Sequence, residues 1–251
     1  MEKDNGISAT LHRQGSFYDK KYSTWKPLPS VEMFWKHLGD QIIQSLNISE
    51  GKSYLFLGAG DGYLTEYIAE KTRANIIGID ISWVSLKICA GKRCKNTFYL
   101  FADAQRLPFK DDLFDGIIAP AILHHLTRLN IAFKEFRRVL IKNGMIFSID
   151  AKDYFLRRPF NFVIKRLISE DEVQFKPGFI ENVYKAGKFE VVSDHSLYLF
   201  APIFVPLLRR ISHDMPEWLF KAFLKIDISF ARVRCLKGLS WVVTVVGRAR
   251  T

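Results

Sequence analysis

Cysteine is scarce in this 251-residue chain, with three residues in all. Cys89, Cys94 and Cys235 form an odd set without the spacing of a disulfide framework, which predicts a reducing compartment. No cluster of His and Cys residues completes a metal site around Cys89 and Cys94, so we expect buried or idle thiols and no bound metal.

Long apolar runs are lacking as well. The longest, Leu197–Leu208, is too short to span a bilayer and contains Pro202 and Pro206. The polar residues 1–15 lack the apolar segment of a signal peptide. These absences predict a cytoplasmic protein, for which peripheral contact is the remaining form of membrane association.

No Gly-, Ser- or Pro-rich linker, internal repeat or low-complexity segment divides the chain, which predicts a single domain over residues 1–251. Hydrophobic residues make up 48% of the chain, enough for one large core. The net charge of +11 is compatible with nucleic acid, an anionic membrane or an acidic substrate as partner, and equally with a solvated basic surface.

Apolar periodicity alternates between strand and helix patterns along most of the chain. Strands are predicted at Ser53–Leu57, Asn75–Asp80, Thr97–Phe101, Phe114–Ala119, Met145–Asp150, Phe189–Val192 and Leu239–Arg248. Helices are predicted at Val31–Leu46, Asp61–Lys71, Ser82–Arg93, Arg128–Leu140 and Pro177–Ala186, with amphipathic helical cover over 203–237. Ser30 and Ser82 are predicted N-caps, and Lys142–Gly144 a turn. The alternation predicts an α/β fold: a Rossmann-like doubly wound sheet, mostly parallel, with an antiparallel last strand at its edge, helices on both faces and a helical cap.

Three alternate glycines follow the first strand in the segment YLFLGAGDGYL. Gly58, Gly60 and Gly62 separate that strand from a helix, which is how an open α/β sheet lets a ligand approach its backbone. A Cβ atom would block both the turn and the ligand, and the free amides at the helix start favour an anionic group. The spacing differs from the Gly-x-Gly-x-x-Gly pattern of NAD-linked dehydrogenases, because Tyr63 stands at the last position.

Acidic residues close the next two strands. Asp80 ends the second strand, where a carboxylate can accept both hydroxyls of a ribose. Asp103 ends the third strand, in FADAQRLPF, where it can accept a hydrogen bond from an exocyclic amine. Alone, Asp80 is equally a helix N-cap and Asp103 a turn former. Together with the glycines they predict a cradle for an adenosine that carries a charged tail.

The segments LGAGDG, GIDIS, DAQRLPFKDDLFDGIIAPAILHHL and FRRVLIKNGMIFSID resemble the class I S-adenosylmethionine-dependent methyltransferases, in particular the small-molecule, methyltransferase type 11-like group. The resemblance implies S-adenosylmethionine as cofactor. It also implies an organisation into an N-terminal helical cap segment (1–50), a cofactor-binding core (51–150), substrate-cap insertions (151–176 and 197–237) and segments that complete the sheet (177–196 and 238–251).

The resemblance assigns roles to individual residues. The cofactor-binding set that it implies is Gly58, Ala59, Gly60 and Gly62 beneath the cofactor, Asp80 and Ile81 at the ribose, Asp103 and Ala104 at the adenine, Ala119 at the methyl-transfer end, and Tyr18 and Tyr22 in a segment that folds over it. His124, with His125 as its alternative, is the candidate catalytic base. The plainer alternative is that one histidine bonds to backbone and the other faces solvent.

One position departs from the family pattern. The family usually carries an acid two residues before the first glycine, where this chain has Phe56. That acid helps to orient the methionine end of the cofactor. Phe56 therefore predicts weaker binding, compensation by another residue, or a cofactor-binding relative without catalysis.

The acceptor is expected to be a small or amphiphilic metabolite, lipid-linked or glycan-type. The loop Ala119–Ile122 lacks the polar residue that enzymes methylating base amines carry, which disfavours nucleic acid and leaves RNA methylation as an alternative resting on charge alone. Aromatic and basic residues concentrate in 151–176 and 197–237, a composition suited to an amphiphilic or anionic acceptor. The alternative is that these stretches form the core of the cap.

Overall fold

The computed structural model describes residues 13–20, 22–23, 29–92, 94–151, 175–176, 178–195, 216–231 and 242–250. Most of the predicted substrate cap, within 151–176 and 197–237, lies outside these described residues, as do Cys235 and the run Leu197–Leu208.

A seven-stranded sheet forms the centre of the molecule. Its strands are β1 (Ser53–Leu57), β2 (Asn75–Asp80), β3 (Thr97–Phe101), β4 (Phe114–Pro120), β5 (Leu140–Ala151), β6 (Phe189–His195) and β7 (Val242–Ala249). They lie in the order β3-β2-β1-β4-β5-β7-β6. The first five strands pair in parallel, whereas β7 is antiparallel to both of its neighbours. The predicted mostly parallel, doubly wound sheet is confirmed.

Two sequence predictions about the sheet need correction. The last strand is antiparallel as expected, but it lies between β5 and β6, so β6 and not β7 occupies the edge. The predicted turn at Lys142–Gly144 is an irregularity inside β5: five positions separate Leu140 from Met145, where two separate their partners Phe114 and Gly116. Asn143 has a φ of 62°, and asparagine tolerates this left-handed conformation.

Helices cover both faces of the sheet. They are α1 (Pro29–Leu46), α2 (Tyr63–Thr72), α3 (Trp83–Ala90), α4 (Leu129–Val139), α5 (Phe179–Ala186) and α6 (Glu217–Ala231), with a 3-10 turn at Leu123–His125 and a helical segment at 13–20. Ser82 caps α3 as predicted, accepting a hydrogen bond from the Ser85 amide. Helix α1 begins at Pro29, so Ser30 lies inside the helix and is not its cap; the fixed φ of proline suits a first helical position.

The alternation of side chains along β1 divides the core between the two faces. Tyr54 and Phe56 pack with Leu38 and Ile42 of α1, whereas Leu55 and Leu57 belong to the cluster that contains Phe133 and Phe136 of α4. In α4 the buried positions Ala132, Phe133, Phe136 and Val139 form one apolar stripe. Burial on both faces fixes the register of β1, and with it the position of the glycine turn that follows.

The order of the strands determines where a ligand can bind. The chain leaves β1 towards β2 on one side, and β4 lies on the other side, so the sheet has its topological switch point between β1 and β4. In open α/β sheets the ligand crevice lies outside the carboxyl ends of the strands at this point. The predicted site residues Gly58, Asp80 and Asp103 follow or close the carboxyl ends of β1, β2 and β3.

Candidate active site

A cleft of about 240 Å³ opens at the carboxyl ends of β1, β2 and β4. Ten of the twelve site residues predicted from the sequence line it: Tyr18, Tyr22, Gly58, Ala59, Gly60, Asp80, Ile81, Asp103, Ala104 and His124. Segments that are far apart in the chain therefore converge on a single cavity.

Gly62 and Ala119 do not belong to the lining. Gly62 precedes α2 with a φ of 77°, and a Cβ there would lie 2.8 Å from the Tyr99 hydroxyl and 2.9 Å from the Cys89 sulfur. Ala119 is fully buried in the core. The direct contact of these two residues with a cofactor stays a prediction.

The glycine turn leaves its backbone open to the cleft. Gly60 has a φ of 59°, and a Cβ on this residue would lie 2.5 Å from the Tyr22 hydroxyl. The turn is tied to β2 by a hydrogen bond from the Ala59 amide to the Ile79 carbonyl, 2.9 Å long. Close approach of another group to this backbone is therefore what requires glycine at position 60.

Asp80, at the end of β2, is anchored to the glycine turn that follows β1. Its carboxylate accepts hydrogen bonds from the Gly60 amide at 2.8 Å and from the Ser82 amide at 2.9 Å. Burial raises the pKa of Asp80 above its ordinary value of 3.8, and the two amides oppose that rise. Each carboxylate oxygen retains a second lone pair, so the group can still accept hydroxyl donors from a ligand.

Asp103 is held by its neighbour Gln105. Its Oδ1 atom accepts hydrogen bonds from the Gln105 amide at 2.8 Å and from the Gln105 side chain at 3.3 Å. The buried Gln105 side chain in turn accepts hydrogen bonds from Thr127 and from the Arg128 amide. This chain of contacts fixes Asp103 against the segment that follows the 3-10 turn.

The N-terminal helical segment 13–20 covers the cleft. The Tyr18 hydroxyl and His125 Nε2 share a hydrogen bond of 2.6 Å, and the Gln14 side chain donates to the His125 carbonyl at 3.1 Å. Asp19 accepts hydrogen bonds from the Ser82 hydroxyl and the Val84 amide at the start of α3. Burial beside Asp80 and Asp61 raises the pKa of Tyr22, which keeps its hydroxyl neutral over the glycine turn.

His124 forms a buried pair with Asp150, the acid near the end of β5. His124 Nδ1 lies 2.8 Å from Asp150 Oδ1, and the His124 backbone amide donates to the same oxygen at 3.2 Å. Burial raises the pKa of Asp150, and the hydrogen bond from His124 opposes that rise. The neighbouring His125 ring packs on His124 with 3.9 Å between centroids. His124 is therefore hydrogen-bonded to a buried carboxylate, and His125 is hydrogen-bonded to the covering segment.

Known proteins resemble this chain in sequence and in fold. Residues 55–148 match the family model described as a methyltransferase domain. Methyltransferase GfsG of Streptomyces halstedii is 28% identical over 138 residues, 51% of this chain and 49% of that protein. The malonyl-[acyl-carrier protein] O-methyltransferase of Legionella pneumophila is 26% identical over 151 residues, 58% of this chain and 50% of that protein.

Residues 55–148 therefore form a methyltransferase domain, and its family is that of the class I S-adenosylmethionine-dependent methyltransferases. The whole chain spans about half the length of the two curated relatives just described. The fold agrees with that of geranyl diphosphate C-methyltransferase from Streptomyces coelicolor A3(2), solved with Mg²⁺, geranyl diphosphate and S-adenosyl-L-homocysteine. The two chains superpose with a TM-score of 0.61 at 12% identity, over 84% of this chain and 78% of that chain.

S-adenosylmethionine is the cofactor of this family, and the residues of the cleft fit it. Gly60 presents bare backbone to the cleft, and the Tyr22 hydroxyl approaches it more closely than a Cβ would allow. Asp80 keeps acceptor capacity next to that turn, and Asp103 lines the same cavity. Within the described residues no group of three or more His, Cys, Asp or Glu side chains could hold a metal ion.

Phe56 occupies the position where a methyltransferase of this class usually has an acid. It is 2% exposed and packs with Leu38 and Ile42, so it forms part of the floor of the cleft and does not fill it. Trp35 and Tyr63 also line the cavity. Burial, together with the nearby carboxylates of Glu32 and Asp61, raises the pKa of Tyr63 to about 12. The end of the cleft near Phe56 is therefore more aromatic than the family pattern predicts.

Sequence reasoning missed several residues that organise this methyltransferase site. Gln105 and Asp19 act through hydrogen bonds to residues far away in the chain, which no local pattern reveals. Asp150 had a detectable signal, because it is a further acid at the end of a predicted strand, as Asp80 and Asp103 are. Its partner His124 was identified, but the contact depends on the pairing of β4 with β5.

Proposed function

We propose that this protein transfers a methyl group from S-adenosylmethionine to a small or amphiphilic metabolite. The observation that carries the proposal is the position of Asp80, which is hydrogen-bonded to the Gly60 amide and faces the same cleft as Asp103. Two acids on successive strand ends beside an open glycine turn match a nucleoside with a charged tail, and the family match supplies the identity of that nucleoside.

The cofactor supplies an electrophilic methyl group on a sulfonium. The protein therefore has to bind the cofactor and the acceptor, orient them relative to each other, and exclude water. Asp80 and Asp103 provide acceptors at the two positions expected for ribose and adenine. The segment 13–20, fixed by Tyr18 and Asp19, covers the cleft and limits entry of water. His124 lies in the lining, where it can take a proton from an acceptor.

The apolar part of the lining supports an amphiphilic acceptor, lipid-linked or glycan-type. Trp35, Ile122 and Leu126 lie in the same cavity as the polar cofactor residues. The Legionella relative is named for an acceptor whose malonyl group is joined to a carrier protein, which agrees with a reactive group at the end of a larger molecule. Pockets of this mixed character suit ligands with an apolar body and a few polar groups.

Helix α6 supports handling of such an acceptor at a membrane surface. Trp218 is 70% exposed, and Lys221 and Lys225 follow it on the same side of the helix, both exposed. Basic amphipathic helices with an exposed tryptophan are typical of peripheral membrane contact. Among the helices of the described residues, none is long and apolar enough to cross a membrane. Sedimentation with anionic vesicles tests this part: wild-type protein should co-sediment and a Trp218→Ala variant should do so less, whereas no sedimentation contradicts it.

Calorimetric titration with S-adenosylhomocysteine tests the cofactor assignment. We expect Asp80→Ala and Asp103→Ala each to weaken binding by about 1–3 kcal/mol, the scale of a lost hydrogen bond that involves a charged group. Asp111→Ala is the matched control, because this exposed acid pairs with Arg138 outside the cleft. Unchanged affinity in both cleft variants would refute the assignment. Transfer of labelled methyl groups into a small-molecule extract then tests the activity itself.

A further inference from the structure

Among the residues that the structure describes, two buried polar atoms of the His124–Asp150 pair have no hydrogen-bond partner. They are His124 Nε2 and Asp150 Oδ2, and both side chains are almost completely enclosed, with 4% and 1% exposure. An unsatisfied buried polar atom costs about 1–3 kcal/mol, so each of these two atoms calls for a partner. His124 is a lining residue of the cleft, so a ligand bound there can supply the partner of its Nε2 atom.

The contacts of Asp150 determine which ring nitrogen carries the proton. Asp150 Oδ1 already accepts the backbone amide of His124, so this oxygen acts as an acceptor. Nδ1, at 2.8 Å from the same oxygen, then donates. In a neutral imidazole the other nitrogen is left as an acceptor. His124 Nε2 can therefore accept a proton and has none to donate.

We propose that His124 is the general base of the reaction, that Asp150 is its positioning residue, and that the methyl acceptor is a hydroxyl group. This inference rests on the proposed function and narrows its substrate class. A hydroxyl needs such a base because it stays protonated at neutral pH, whereas a neutral amine has a free lone pair. The segment Ala119–Ile122, which ends β4 and leads to His124, offers no polar side chain for an amine.

The hydroxyl proton passes to His124 Nε2. The hydroxyl oxygen forms a bond to the methyl carbon as the bond from that carbon to sulfur breaks, with its electron pair left on sulfur. Asp150 stabilises the imidazolium that results, as a buried carboxylate behind a catalytic histidine does. The proton leaves the site when the product is released.

Other titratable groups face the pair from the elements around it. His125 stacks on the His124 ring, and Tyr18 of the covering segment bonds to His125. The buried Tyr184 hydroxyl donates to Ser148, and its pKa is raised by burial and by the nearby Asp150. Asp103 and Asp80 line the same cleft. Of these groups, Asp150 alone contacts the His124 ring nitrogen by a hydrogen bond within the described residues.

The protonation state can be measured without a substrate. Nitrogen-15 NMR of histidine-labelled protein bound to S-adenosylhomocysteine should show the proton of His124 on Nδ1, with Nε2 unprotonated. The resonance is assigned by its loss in His124→Gln. We expect Asp150→Ala to shift the proton towards Nε2, and His37→Gln, which removes a histidine bonded to Gln41 on α1, to change nothing. A wild-type His124 that carries its proton on Nε2 overturns the proposal.

Product analysis and rates test the chemistry. Carbon-13 NMR of the methyl group transferred from labelled S-adenosylmethionine into a small-molecule extract should identify a methyl on oxygen. We expect His124→Gln to lower kcat by roughly 10²–10⁴-fold, the usual contribution of general base catalysis, and Asp150→Asn to lower it at least about tenfold. Both deficits should shrink as pH rises, because the acceptor hydroxyl then ionises unaided, whereas a structural defect would lower the rate equally at every pH.

The outcomes separate the two proposals. A methyl group on nitrogen or carbon, or deficits independent of pH, overturns the assignment of His124 and Asp150 and leaves the methyltransferase activity standing. Wild-type protein that neither binds S-adenosylhomocysteine nor transfers a methyl group overturns the proposed function and with it the role of base.

Discussion

The Asp80 carboxylate accepts a hydrogen bond from the Gly60 amide at 2.8 Å, across 20 positions of the chain. This bond joins the end of β2 to the turn after β1. The acid expected at the ribose and the backbone expected beneath the cofactor are therefore fixed relative to each other before any ligand binds. Preorganised donors and acceptors of this kind spare a binding site the cost of ordering its groups.

Gly60→Ala should weaken binding of S-adenosylhomocysteine far more than Gly51→Ala. Both glycines have a positive φ, 59° and 79°, so both substitutions introduce left-handed strain of about 1–2 kcal/mol. Only at position 60 does the new Cβ meet another group, the Tyr22 hydroxyl, while nothing lies within 4 Å of it at position 51. Calorimetric titration and thermal unfolding measure the two effects. Equal affinity losses in the two variants would show that strain, and not the approach of Tyr22, decides the requirement for glycine.

The pH dependence of stability should reveal the burial of Asp80. Its folded-state pKa is raised above the ordinary value of 3.8, so the native protein holds more protons than the unfolded chain above that pH. The stability contributed by Asp80 is then present at low pH and falls as pH rises through the folded pKa. We expect the unfolding free energy of the ligand-free wild type, minus that of Asp80→Asn, to decrease as pH rises above 3.8 and through the folded pKa. Urea unfolding at several pH values measures it, and a difference that grows with pH contradicts the assignment.

Much of this site could be predicted because parallel strands end at one edge. Gly58, Asp80 and Asp103 each follow or close a strand whose apolar run is plain in the sequence, and sheet geometry then brings them together. Ser82 was predictable as a cap because capping is local. The insertion of β7 between β5 and β6 was not, because strand order depends on pairing between distant segments. The contact between His124 and Asp150 depends in the same way on the register of β4 with β5.

Tyr18→Phe should loosen the covering segment without disturbing the core. The substitution removes the 2.6 Å hydrogen bond to His125 and leaves the ring in place. We expect S-adenosylhomocysteine affinity to fall by about 0.5–1.5 kcal/mol, the net value of one hydrogen bond. Trypsin should also cleave faster within 13–23, which contains Arg13 and Lys20. Tyr67→Phe is the control, because its hydroxyl bonds to Asp40 outside the cleft lining. Equal effects of the two variants would mean that segment 13–20 does not close over the cofactor.

Arg138 connects α4 to the segment that leads from Asp103 to β4. Its guanidinium donates to both carboxylate oxygens of Glu135, to the Phe109 and Leu107 carbonyls, and to Asp111. Glu135 also accepts the Leu107 amide at 2.9 Å. The two contacts with Glu135 form a bidentate, charge-assisted pair, a geometry that lysine cannot reproduce.

Arg138→Ala should therefore lower the free energy of unfolding by about 1–3 kcal/mol. Arg138→Lys should lower it by less, because the positive charge is kept. Arg137→Ala is a matched control, because that neighbour has the same charge but, among the described residues, donates to the Arg250 and Leu140 carbonyls and to no carboxylate. The hydrogen bond from Arg138 is the main reason that the pKa of Glu135 is lowered, so its stabilisation is present at neutral pH and is lost as pH falls through the folded pKa. The gap between wild type and Arg138→Ala in urea unfolding should accordingly narrow towards acid pH. A gap that stays constant down to about pH 3 would locate the effect of Arg138 in its contacts with the backbone carbonyls and not in its pairing with Glu135.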